Sequence, residues 1–213
     1  MLPALYPILD VDLCRERGLD RLALLEAFLT GGARFFQLRD KSSSSAARLA
    51  LADAVCARVH AAGGRLIVND RPDLARMCGA DGVHVGQDDM SVEDARRVVG
   101  PGAIVGVSTH DEAQIAAAQA TSASYIAVGP IYGTATKATG YSARGLALVR
   151  HAAASTDRPI VAIGGITLER ASEVMAAGAA SLAVISDLLR DDPAAMVRQF
   201  LTRVETAARP RVV

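Results

Sequence analysis

Seven polar segments carry residue types suited to an anion-handling site. Gln37-Leu38-Arg39-Asp40-Lys41 puts an amide and two cations close together, and extended-chain alternation sends Gln37 and Arg39 to one face. Arg39 and Lys41 repel unless an anion lies between them, so the pair reads as a phosphate clamp. The competing reading is a surface ion pair between Arg39 and Asp40. Asn69-Asp70-Arg71 and Gln87-Asp88-Asp89 bring in carboxylates. Asp70 and Asp89 offer the hard oxygen ligands of a Mg²⁺ site, which keeps its waters and also takes substrate phosphate. Asp88 competes with Asp89 for that role. A helix cap is the alternative for Asp70, with Pro72 close behind it.

The later segments extend the theme. Ser108-Thr109-His110 ends an apolar run. Gly133-Thr134-Ala135-Thr136-Lys137 brings two hydroxyls and an ammonium to a second anion, inside an irregular stretch at 129–141 able to close over a substrate. Gly164-Gly165 and Ile185-Ser186 suit a phosphate held by backbone N–H groups and a helix N-terminus; a tight turn needing positive φ is the alternative for the glycines. His84, between Val83 and Val85, reads as a hydrogen-bonded strand residue rather than a base. His110 sits at a helix start, and His60 and His151 look like helix-surface residues. There is no nucleophile–His–carboxylate grouping and no His/Cys metal spacing. The chemistry expected is therefore electrostatic, on a phosphate or diphosphate substrate.

The elements that position these segments alternate along the chain. Strands are expected at Leu5–Leu9, Arg34–Leu38, Arg65–Val68, Gly82–Val85, Ile104–Val107, Tyr125–Val128, Ile160–Ile163 and Ser181–Ile185. Helical periodicity follows each, near 19–30, 45–61, 72–77, 91–98, 111–119, 142–154, 167–176 and 193–207. Strand–helix alternation implies parallel pairing, and runs such as YIAV and IVAI are apolar on both faces, as in a sheet covered on both sides. Eight units in 213 residues is about 27 residues per unit, near the minimum for an α/β protein built as a single (β/α)₈ TIM barrel over 1–213. A doubly wound open sheet needs fewer strands and most often carries GxGxxG after the first, where this chain has Asp10-Val11-Asp12. In a barrel all the polar segments fall on the C-terminal rim, and the loops after strands seven and eight often hold phosphate.

Composition bounds the partners. Apolar residues make up 51% of the chain, which argues against disorder. Lys plus Arg and Asp plus Glu are 23 each, and aromatics are 4% with no Trp, so neither nucleic acid nor a membrane is expected as a partner. The expected partners are phosphorylated small molecules, and a homo-oligomer is compatible. Cys14, Cys56 and Cys78 form no CxxC pair and read as free thiols of a reducing, cytoplasmic setting. The N-terminal apolar run is short, interrupted by Asp10 and Asp12 and without a basic lead, so no signal peptide is expected.

These segments, in this order, resemble the thiamine-phosphate synthase family. The likeness rests on Gln37-Leu-Arg-Asp-Lys41, Val68-Asn-Asp-Arg71, Gly79 to Asp89, Gly106-Val-Ser-Thr-His110, Val128-Gly-Pro-Ile-Tyr132, Thr134-Ala-Thr-Lys137, Ala162-Ile-Gly-Gly-Ile166 and Val184-Ile-Ser186, and runs from about Leu5 to Ser186. Each motif alone is weak; their order is what makes the likeness specific. The resemblance implies condensation of 4-amino-2-methyl-5-(diphosphooxymethyl)pyrimidine with a thiazole phosphate, with release of diphosphate. It implies that Gln37, Leu38, Arg39, Asp40, Lys41, Asn69, Ser108 and Lys137 bind the pyrimidine diphosphate. Asp70 and Asp89 would hold Mg²⁺. Thr134, Ala135, Thr136, Gly165, Ile185 and Ser186 would bind the thiazole phosphate, and Arg39, Lys41, Lys137 and Ser108 would form the catalytic set. A related thiazole tautomerase is an alternative, but that relative has a histidine where Pro130 follows Gly129 here. A non-catalytic thiazole-phosphate-binding paralogue is a second alternative, against which the intact charge set argues.

Overall fold

The computed structural model describes residues 2–133 and 140–208. Strands β1 (Leu5–Asp10), β2 (Phe35–Arg39), β3 (Arg65–Asn69), β4 (Gly82–Val85), β5 (Ile104–Thr109), β6 (Tyr125–Val128), β7 (Ile160–Ile163) and β8 (Ser181–Val184) close into one parallel barrel in chain order. The closure is made by β1 lying between β2 and β8. Around it, among the described residues, run α1 (Val11–Glu16), α2 (Arg21–Thr30), α3 (Ser45–Ala61), α4 (Pro72–Met77), α5 (Val92–Val99), α6 (Glu112–Gln119), α7 (Gly145–Ser155), α8 (Ala171–Ala176) and α9 (Pro193–Ala208). A single 3₁₀ turn, Ser186–Leu188, follows β8.

The expected barrel is present, with all eight strands within a residue or two of their expected bounds. Two local differences matter. The segment after β1 is a short helix, α1, where no helix is expected from the sequence. Strand β8 stops at Val184 because Ile185, at φ −117° and ψ −86°, leaves the extended region.

Both faces of the sheet are buried, in two separate apolar layers. Outward residues such as Leu9, Leu38, Val68 and Val105 pack against helix residues such as Leu25, Phe28, Val55 and Phe200. The barrel interior is filled by Tyr6, Ile8, Phe35, Ile67, Tyr125, Ala127, Val161 and Ala183. The Tyr6 and Phe35 rings lie 4.4 Å apart, and Tyr125 meets Tyr6 edge-on at 6.1 Å and 88°. Gly106 makes room for this cluster: a Cβ there would stand 2.0 Å from the Tyr125 ring. Helix starts are set by side-chain caps. Ser44 accepts from the Ala47 N–H at 3.3 Å, and Asp20 accepts from the Leu22 and Ala23 N–H groups at 2.8 Å. Cys14 and Cys56 are buried and Cys78 is partly buried, all three as free thiols. Among the described residues no helix is long and apolar enough to cross a membrane.

Candidate active site

Alternation along β2 sorts the first motif. Gln37 and Arg39 face the barrel mouth, where Lys41 joins them at the edge of one cavity with Asn69, Asp70 and Asp89. Leu38 and Asp40 point the other way. Leu38 belongs to the helix-facing core. Asp40 accepts the Ser43 N–H at 3.0 Å and faces Arg48 at 3.9 Å. Of the five residues, Gln37, Arg39 and Lys41 line the cavity, while Leu38 and Asp40 are turned beneath α3, as the period of two requires.

Arg39 is not paired with Asp40 either. Its Nη1 donates to Asp10 Oδ2 at 2.6 Å, and Asp10 is only 4% exposed. Asp10 also accepts the Leu13 N–H at 3.0 Å, so one carboxylate caps α1 and aims the guanidinium. Arg39 Nε is buried and carries no hydrogen bond. Asp12, two residues on, accepts the Lys41 N–H at 2.9 Å and is bonded by the Ser42 hydroxyl and by Arg15. Burial opposes ionisation of Asp12, but Ser42, the Lys41 N–H and Arg15 together hold its carboxyl below the usual range. The Asp10-Val11-Asp12 turn thus anchors the cationic loop. Its sequence signal was two acids directly after a strand.

Asp70 has φ +60°, the one non-glycine residue at positive φ among the described residues. Asp tolerates this left-handed region better than most side chains, and such outliers gather at functional sites. Its N–H donates to the His84 carbonyl at 2.7 Å, and its carboxylate meets Lys41 Nζ. Asp70 does not cap the next helix: Arg71 occupies the N-cap of α4, without a side-chain bond, and Pro72 begins it. Asp89 accepts the Gly86 N–H at 2.8 Å. Burial and the neighbouring Asp70 carboxyl raise its pKa, and both acids line the same cavity. Asp88 is exposed and lines neither rim cavity. No group of three or more His, Cys, Asp or Glu side chains that could hold a metal occurs among the described residues. Two adjoining carboxylates suit a cation that keeps waters and takes substrate oxygens, which is the habit of Mg²⁺.

A second cavity adjoins the first, and the two share Ser108, Ile163, Ala183 and Ile185. Gly165, Ser186 and Asp187 line it. Gly164 and Gly165 have φ of +100° and +63°, so the tight-turn reading holds for both. Space adds to it: a Cβ on Gly165 would stand 2.6 Å from the Gly133 carbonyl oxygen. The Asp187 carboxylate is tied to the Leu168 N–H at 2.8 Å and to Arg190. The expected helix dipole is reduced, since only a three-residue 3₁₀ turn starts at Ser186 and α8 begins at Ala171. Thr134, Ala135, Thr136 and Lys137 lie outside the described residues.

The histidines are as structural as expected, and more connected. His84 Nδ1 bonds the Tyr125 hydroxyl at 2.9 Å and Nε2 bonds Ser108 Oγ at 2.8 Å. Tyr125 bonds Tyr6 at 3.0 Å, and Gln37 Nε2 bonds the Tyr6 hydroxyl at 3.1 Å. His110 is not simply exposed: Nδ1 lies 2.5 Å from the Gly129 carbonyl oxygen and the ring stacks on Tyr141 at 3.9 Å. Nothing in the sequence singles out Tyr6 and Tyr125, which lie in plain apolar runs.

Known proteins bear on this geometry. The family model described as thiamine monophosphate synthase matches residues 5–188. A thiamine-phosphate synthase of Mycobacterium sp. (strain KMS) is 43% identical over 203 residues, covering 90% of this chain and 89% of the relative. One from Roseiflexus castenholzii is 42% identical over 194 residues, covering 91% and 84%. A solved thiamine phosphate pyrophosphorylase from Pyrococcus furiosus superposes with TM-score 0.87 at 28% identity, over 97% of each chain.

Proposed function

The chain belongs to the thiamine monophosphate synthase family, and from that premise we propose how its double-chambered rim makes thiamine phosphate. The activity is a transferase reaction. The methylene carbon of 4-amino-2-methyl-5-(diphosphooxymethyl)pyrimidine loses its C–O bond, diphosphate departs with the electron pair, and the thiazole nitrogen forms the new C–N bond. The observation that carries the assignment of residues is the convergence of Arg39, Lys41, Asp70 and Asp89 on one cavity that shares a wall with the Gly165–Ser186 cavity.

In this reading Arg39 and Lys41 take the diphosphate. Their shared place on the cavity wall supports it, since two cations there are best satisfied by an anion between them. Asp70 and Asp89 hold Mg²⁺, which when bound neutralises charge developing on the departing diphosphate. Gln37, Asn69 and Ser108 seat the pyrimidine. Gly165 and Ser186 take the thiazole phosphate on backbone N–H groups and a hydroxyl, with Thr134, Thr136 and Lys137 expected to join from the segment between Gly133 and Gly140. The shared wall holds the two substrates together, and proximity lowers the barrier further. No protein nucleophile is required. Asp70→Ala tests the assignment. A loss of Mg²⁺-dependent turnover by ~10²-fold or more is expected; full activity would remove Asp70 from the metal site.

A further inference from the structure

Five side chains form one hydrogen-bonded chain through the barrel interior, and its two ends open on the cavity assigned above to the pyrimidine. In order they are Gln37, Tyr6, Tyr125, His84 and Ser108, with links of 3.1, 3.0, 2.9 and 2.8 Å. Tyr6 and Tyr125 are fully enclosed, at 1% and 0% exposure. Burial raises both phenols above their ordinary value, so each keeps its single proton.

Proton counting then limits the chain. A phenol has one proton, so if Tyr6 accepts from the Gln37 amide it donates to Tyr125, and Tyr125 donates to His84 Nδ1. A neutral His84 must then carry its proton on Nε2 and donate to Ser108 Oγ, which leaves the serine proton free for the cavity. In that polarity the chain presents an acceptor (the Gln37 carbonyl) at one end and a donor (the Ser108 hydroxyl) at the other. Reversal flips the Gln37 amide, moves the His84 proton to Nδ1 and turns Ser108 into a donor toward His84. The cavity then meets an amide donor and a serine acceptor. With His84 neutral, neither end reverses alone without leaving a buried link unmade.

We propose that Tyr6, Tyr125 and His84 are positioning residues that lock Gln37 as acceptor and Ser108 as donor, and so select an amino-substituted pyrimidine over its oxo counterpart. The proposal rests on the functional reading above. An amino group donates to Gln37, and a ring nitrogen lone pair accepts from Ser108. The 4-oxo analogue carries its ring proton on the nitrogen beside the carbonyl, so it places an acceptor at the amino position while the other ring nitrogen, across the ring, keeps the lone pair that meets Ser108 on β5, opposite Gln37 on β2. It therefore needs one end reversed and the other not, which the intact chain forbids. Sites that demand a particular hydrogen-bond pattern reject the wrong partner strongly, because the mismatch leaves buried groups unpaired.

Tyr125→Phe cuts the chain in the middle and touches neither end. Selectivity is read as the ratio of kcat/KM for the 4-amino over the 4-oxo pyrimidine diphosphate. We expect that ratio to fall at least ~10-fold in Tyr125→Phe and in Tyr6→Phe, with KM for the thiazole phosphate unchanged. A ratio within about twofold of wild type in variants that still release diphosphate would overturn the proposal. Histidine ¹⁵N chemical shifts of wild-type protein with the 4-aminopyrimidine diphosphate alone give a second reading that needs neither turnover nor a variant. His84 should be in the Nε2–H form, and an Nδ1–H form would overturn the proposal. Failure of the wild type to release diphosphate from the substrate pair would instead count against the functional reading, leaving the tautomer measurement to judge the chain by itself.

Discussion

Arg39 shows how much of the site is decided one residue at a time. Asp10 holds the guanidinium at 2.6 Å from inside the barrel and also caps α1. Removing one partner of a buried ion pair leaves an uncompensated charge, so Asp10→Ala should destabilise the protein by about 3 kcal/mol and raise KM for the pyrimidine diphosphate. Denaturant melts with steady-state kinetics check this; an unchanged midpoint would mean that Arg39 finds another partner. Asp89 behaves in the opposite sense. Its carboxyl is pushed up by burial and by Asp70, so the ionised form costs the folded state stability at neutral pH, and that cost is relieved as pH falls through the raised value. Without divalent cation, Asp89→Asn should melt higher than wild type at pH 7; with Mg²⁺, only the wild type should gain stability. Affinity for Mg²⁺ should also weaken as pH falls toward the raised value, because protons compete for that carboxyl. Calorimetric titration over a falling pH series reads it, and a pH-independent affinity would contradict the placement of Asp89. At this scale the motifs were legible as types: Arg39, Lys41, Asp70 and Asp89 stand out as charges after strands. What the sequence hides is their conformation. The positive φ of Asp70 follows from backbone geometry that residue identity only permits.

Secondary elements were the most legible level, because strand-length apolar runs alternate with longer helical periods. The exception, α1, is six residues long. That is less than two turns, it lacks the proline that opens the equally short α4, and its start is fixed by the tertiary role of Asp10. Elements also impose size limits that only packing reveals. Gly106 is paired with Tyr125 on the neighbouring strand, and a methyl there would sit 2.0 Å from the ring. Gly106→Ala should therefore cost about 3 kcal/mol, the upper end for overpacking, and lower Tm by ~6–12 °C for a chain of this size. Because Tyr125 is the middle of the hydrogen-bonded chain, the same variant should also blunt amino-over-oxo selectivity. A wild-type Tm would mean that the barrel yields at β5 more easily than its contacts imply.

The whole barrel brings together residues that sequence separates widely. Tyr6 and Tyr125 are 119 positions apart and share a hydrogen bond, and His84 reaches Ser108 across 24. Counting eight strand–helix units makes closure legible, and closure places seven loops on one rim, but it does not say which inward side chains meet. That depends on stagger and on which strands contribute glycine, as at Gly82 and Gly106. Closure also accounts for the division of the rim. Strands β2 to β4 supply the cations and carboxylates of one chamber, and the loops after β7 and β8 supply the other. The most direct test incubates the protein with the pyrimidine diphosphate, the thiazole phosphate and Mg²⁺, and follows diphosphate and thiamine phosphate together. The account predicts one diphosphate released per thiamine phosphate formed, with neither product when Mg²⁺ or either substrate is withheld. Isomerisation of the thiazole phosphate with no diphosphate release would contradict it.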